Sequence, residues 1–253
     1  MSSPVRALSL GRFAHAVLVS GAARVIAVFE RSCYVEAPAG LACVGRVGNG
    51  PLNAPCDSLP QGLAVGDSLR VELDGAAIWR PRAAPAWDAT VVDASLARLV
   101  EAARDRLPCE GLGYLLDPAR KEPPAVQALT RWLSGPTGTL DGAAGLIGLG
   151  PGLTPSGDDL LGGAMCALHA ARRGDIAARL AGWALPLART GTNRISYAHL
   201  ACAAEGECGE AVSDAIAAII AGVTPDLVRI DAIGHTSGWD ALAGAVLALR
   251  TVQ

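Results

Sequence analysis

The chain has 253 residues, 51% of them hydrophobic and only 4% aromatic, with a formal charge of −3. It is long enough for one large domain or two small ones, and its core must be filled by Ala, Leu and Val rather than by rings. No basic block appears and no apolar run reaches the roughly 18–20 residues of a membrane span, so nucleic-acid binding and membrane insertion are excluded as expectations.

Further exclusions follow from the cysteines and the N-terminus. Seven cysteines without a C-x-x-C pair disfavour a disulfide framework and a structural zinc site, and they read as reduced, small hydrophobes. Arg6, Arg12 and His15 interrupt the first apolar stretch, so no signal peptide is read and the expected location is the cytoplasm.

In chain order, Ala16–Val19, Arg24–Phe29, Cys33–Glu36 and Leu41–Val44 are short apolar or β-branched runs that predict strands. A loop rich in Gly, Pro and Asn follows from Gly45 to Pro60. Ser68–Leu73 alternates apolar and polar residues, and Asp74-Gly75 predicts a hairpin turn into Ala76–Trp79. The prolines of Arg80–Pro85 mark a boundary. Beyond it helical spacing takes over, with helices predicted over Ser95–Leu107, Pro123–Leu133, Ser156–Arg172 and roughly 175–189, 193–205, 209–222 and 239–250. The predicted fold class is α+β: a small, antiparallel, barrel-like β domain over 1–82, then a mostly helical domain over 88–253.

The chemistry concentrates in the glycine-rich loop Gly148–Asp159, which runs into the third predicted helix. Gly150, Gly152 and Gly157 permit close backbone approach, Ser156 is a candidate N-cap, and Asp159 sits three residues on, where a capping box places its acid. A helix N-terminus favours phosphate or carboxylate. No lysine follows the last glycine, so the loop is not a P-loop, and no clear βαβ unit surrounds it. The segment Gly234–Gly244 repeats the idea: Ser156, Gly157, Asp159, Leu161 and Gly163 align with Ser237, Gly238, Asp240, Leu242 and Gly244 as S-G-x-D-x-L-x-G. Both helix starts are expected to face one cavity. A third polar helix start at Thr192, Asn193 and Ser196 belongs with them.

Capping accounts for Asp159 and Asp240, whereas Asp158 is not needed as a cap and becomes the candidate general base or cation ligand. His235 is the second candidate proton carrier, against an ordinary loop histidine. Asp158 with Asp159 is the candidate site for magnesium or another cation. Thr154, Ser156, Thr192, Asn193, Ser196, Ser237 and Asp240, with Gly150, Gly152, Gly157 and Gly238, form the candidate ligand shell. Trp239 either covers the site or packs beneath it, and His15, His169 and His199 read as structural.

At these residues the sequence resembles the AllH-like family, through G-L-G-P-G-L-T-P-S-G-D-D at 148–159 and G-H-T-S-G-W-D at 234–240. The family was formerly a domain of unknown function, and its named member is a subunit of oxamate carbamoyltransferase in allantoin breakdown. The resemblance implies a subunit of a hetero-oligomeric enzyme that phosphorolyses oxalurate to oxamate and carbamoyl phosphate, all small anions. Two other readings stay open: a non-catalytic regulatory subunit that binds a small acid, and a free-standing cation-dependent hydrolase or transferase.

Overall fold

A computed structural model describes residues 5–251. The chain forms two compact units, Met1–Pro81 and Arg82–Gln253, each with its own hydrophobic core.

Among the described residues, the first unit holds nine short strands and one helix. The strands are β1 (Val5–Arg6), β2 (Ser9–Gly11), β3 (Ala23–Val28), β4 (Ser32–Ala37), β5 (Gly40–Gly45), β6 (Asn53–Pro55), β7 (Ser68–Leu69), β8 (Val71–Glu72) and β9 (Ala77–Trp79), and α1 spans Arg12–Leu18. Five strands make one sheet in the order β6-β5-β4-β3-β7. Its inner pairs are antiparallel, but β6 joins β5 in parallel. The expected barrel is not formed: closure requires the two edge strands to pair, and among the described residues β6 and β7 do not.

Two local expectations are also corrected. Ala16–Val19 lies largely in α1, not in a strand. Ala14, Val17 and Leu18 are buried at i, i+3 and i+4, and the first-turn N–H groups of Phe13 and Ala14 both donate to the Pro51 carbonyl. Asp74-Gly75 makes a turn, with the Ala76 N–H donating to the Leu73 carbonyl, but it closes no hairpin. The flanking strands part instead, β8 pairing in parallel with β1 and β9 in parallel with β2.

The second unit is helical: α2 (Ala89–Ala103), α3 (Pro124–Ser134), α4 (Ser156–Ala170), α5 (Gly174–Gly191), α6 (Arg194–Ala204), α7 (Glu210–Ile220), α8 (Leu227–Asp231) and α9 (Ser237–Thr251), with 3₁₀ turns at Gly113–Leu116 and Asp141–Leu146. The short α8 has no counterpart among the predicted helices. The centre of the unit is the pair α4 and α9. These are the helices of the repeat, and Leu160, Leu161, Leu242 and Ala245 are all wholly buried.

The pair is in contact because of the repeated glycines. A Cβ on Gly163 would lie 2.6 Å from the carbonyl carbon and 2.9 Å from the Cα of Ala241, and nearer still to its oxygen. A Cβ on Gly244 would meet Leu160 at the same distances, again nearest the oxygen. Each glycine therefore receives the backbone of the other helix, and the two contacts are related by exchanging the copies of the repeat.

Candidate functional site

The N-terminal ends of α4 and α9 meet. The Thr154 hydroxyl, two residues before α4, lies 2.8 Å from the hydroxyl of Ser237, the first residue of α9. The two related loops thus border one locus, with the positive ends of two fifteen-residue helices beside it.

The capping expectation at α4 is corrected. Pro155, not Ser156, is the N-cap, and it offers no side-chain cap bond. Ser156 is the first helical residue and is buried. The Pro155 carbonyl instead accepts from the N–H groups of Asp158 and Asp159, and the Leu149 carbonyl accepts from Gly157 N–H. Gly238 N–H donates to the Ile233 carbonyl. The glycines at this position are explained by packing, because a Cβ on Gly157 would press on the Leu146 carbonyl and one on Gly238 on the Ile230 carbonyl.

Asp158 is buried and fully engaged. Its Oδ1 accepts from Gly148 N–H at 2.9 Å. Its Oδ2 accepts from the Thr192 hydroxyl at 2.5 Å and the Ser196 hydroxyl at 2.6 Å. Asn193 caps α6 by accepting from Ile195 and Ser196 N–H, and its amide donates to the Leu153 carbonyl at 2.8 Å. The third polar helix start therefore does adjoin the glycine-rich loop, and its work is to fasten that loop. Gly148 needs to be glycine here, since its φ is +68° and a Cβ would strike the Gly191 carbonyl.

The two acids matched by the repeat differ. Asp240 is wholly buried and satisfied, with Oδ1 accepting from Leu112 N–H at 2.5 Å and Oδ2 from the Thr236 hydroxyl at 2.8 Å. Part of Asp159 reaches solvent, but its Oδ2 is enclosed and has no hydrogen-bond partner. The burial pushes its carboxyl well above the ordinary value of 3.8. The Asp240 and Asp158 carboxylates add to that shift, while the hydroxyls of Ser237 and Thr154 oppose it.

The remaining candidates separate. His235 is exposed and its Nε2 lies 3.1 Å from Glu110 Oε2, also exposed. Trp239 lies in the core with its indole N–H donating to Asp231 Oδ1 at 2.9 Å, so it packs beneath rather than covers. Gly150 and Gly152 are exposed. Both Asp158 oxygens already face protein donors, and among the described residues no group of three or more His, Cys, Asp or Glu could hold a metal ion. A cation at Asp158 and Asp159 thus gains no support. Sequence reasoning missed Gly111-Leu112, which supplies the N–H to Asp240. A Cβ on Gly111 would lie 2.6 Å from that carboxylate, and a lone glycine in a loop carries no signal of this.

Residues 146–249 match the family model described as oxamate carbamoyltransferase subunit AllH. The match bears out the AllH resemblance and spans the whole of α4 through almost all of α9, which is to say both copies of the repeat. It leaves the first unit and α2 and α3 uncovered. Neither the comparison with curated proteins nor that with solved structures finds a match. No described helix is long and apolar enough to cross a membrane.

Proposed function

We propose that this chain is a subunit of a carbamoyltransferase-type enzyme that handles small anions of the oxalurate, oxamate, phosphate and carbamoyl phosphate kind, in allantoin and purine nitrogen breakdown. The observation that carries the reading is the Thr154–Ser237 contact, which joins two related helix starts inside the segment that matches AllH. Two helix dipoles and a set of short hydroxyl side chains at one locus suit an anion with carbonyl or phosphoryl oxygens. Thr154, Ser156 and Ser237 orient it, and Asp158, held by Gly148, Thr192 and Ser196, keeps the loop in shape. Other subunits of the assembly complete the reaction.

A second reading, a non-catalytic subunit that binds a small acid, is favoured by one observation: Asp158 is buried and both its oxygens accept hydrogen bonds that fasten the loop. One experiment separates the readings. The chain is purified with the subunits that co-purify, and thermal shift is measured with phosphate, carbamoyl phosphate, oxamate and oxalurate. Oxalurate phosphorolysis is then assayed with the chain present and omitted. Ligand stabilisation together with loss of turnover on omission supports the first reading. Stabilisation with turnover intact supports the second, and no stabilisation by any anion removes both.

A further inference from the structure

The two copies of the repeat supply their acids with different surroundings. Asp240 receives its hydroxyl from Thr236, four residues earlier. The residue four before Asp159 is Pro155, which has no hydroxyl and no N–H to give. Asp240 receives its second donor from the Gly111-Leu112 loop. No corresponding backbone N–H reaches Asp159 Oδ2, which is enclosed and unpaired. A buried carboxyl oxygen left without a partner is destabilising, and the other copy of the same motif avoids this. Asp159 lies in the first turn of α4, where its carboxyl takes hydrogen bonds from the hydroxyls of Ser237 and Thr154 while Oδ2 stays unpaired, close to where the two helix N-termini converge.

We propose that Asp159 is the ligand-contacting acid of this site: in its neutral form it donates a hydrogen bond to a carboxylate or carbonyl oxygen of a small oxamate-type anion lying between the starts of α4 and α9. The inference rests on the small-anion reading above and names the residue that makes that site selective for such oxygens. A charged Asp159 would repel the same anion and would stand beside two further carboxylates, Asp158 on α4 and Asp240 on α9. Burial in that company favours the neutral acid, which has an O–H to give. Asp240 cannot play the part, because both its oxygens already accept bonds.

The test uses the full chain and the D159N variant, whose side chain keeps the shape and a donor but cannot ionise. Oxamate and inorganic phosphate are titrated calorimetrically between about pH 5 and 9. Wild-type affinity for oxamate should fall by about tenfold per pH unit once the pH exceeds the raised pKa, because the donor is lost and a charge appears. D159N should hold its affinity flat across the same range. A second readout needs no ligand: the infrared spectrum of the wild type should contain a carboxylic-acid carbonyl band at neutral pH that D159N lacks. Oxamate binding with the same pH profile in both proteins overturns the role of Asp159 and leaves the anion site standing. Absence of the acid band overturns its neutral form. If neither anion binds the wild type at any pH, the anion site itself falls and this role with it.

Discussion

Replacing Gly163 by Ala tests the reasoning about the repeat most directly. In an exposed helix interior this change stabilises by about 1 kcal/mol, because Ala orders more readily than Gly. Gly182, inside α5 and exposed with nothing near its missing Cβ, should behave that way. Gly163 has the Ala241 backbone carbonyl in the space a Cβ would take, with the carbonyl carbon at 2.6 Å, where real contacts essentially never fall below 3.0 Å. A backbone cannot turn aside as a flexible side chain can, so α4 and α9 must move apart. Overpacking of this kind costs about 1–3 kcal/mol or more. It also disturbs the matching contact at Gly244, so the helix-propensity gain is outweighed and a net loss of about 2 kcal/mol is expected. At roughly 2–4 °C per kcal/mol for a chain of this size, that lowers Tm by about 4–8 °C, followed by circular dichroism. The double variant G163A/G244A should cost less than the sum of the singles, since helices already separated have little contact left to lose. A G163A protein as stable as G182A would refute the account of the α4–α9 contact.

Asp158→Ala should lower the urea midpoint by an amount worth about 3 kcal/mol or more, because it strands the Gly148 N–H and two hydroxyls in buried surroundings, while Asp158→Asn should recover part of the loss. An unchanged midpoint in Asp158→Ala would show that the 148–159 loop is not fastened as described. Although part of His199 reaches solvent, burial of its ring pushes the imidazole down to about 4. The contribution is then fully present above the ordinary value of 6.5 and is lost as the pH falls from there through about 4, by at most about 3 kcal/mol. His199→Gln should flatten that part of the stability–pH curve. Asp159 has the opposite sign: its raised pKa makes stability fall as pH rises above 3.8, so D159N should gain in Tm at neutral pH relative to acid pH.

Much of the second unit was legible in the sequence. Helical spacing from α2 onward, the polar start at Asn193 and the S-G-x-D-x-L-x-G echo all depend on residues within a turn or two of each other, and periodicity and capping report such local order. The repeat also carried a long-range expectation, that its two helix starts face one cavity, and the structure brings those starts together at Thr154 and Ser237. The first unit was less legible. Its strands of two or three residues are too short to carry a pattern, and two of their parallel pairings join segments more than 60 residues apart, Val5 with Val71 and Ser9 with Ala77. The end of α1, Ala16–Leu18, read as part of a strand because only the buried face of β5 behind the helix reveals which of its side chains point inward.

The division of labour among the acids belongs to the tertiary structure alone. In the sequence Asp158 and Asp159 are adjacent and told apart only by their place relative to the helix start, and Asp159 and Asp240 are equivalent by alignment. What distinguishes them is where donors arrive from. Asp158 meets Thr192 and Ser196, 34 and 38 residues away, and Asp240 meets Leu112, 128 residues away. Asp159 Oδ2 meets none. A carboxyl's chemistry is set by the partners and solvent around it, and those are brought together by folding rather than by neighbours in the chain.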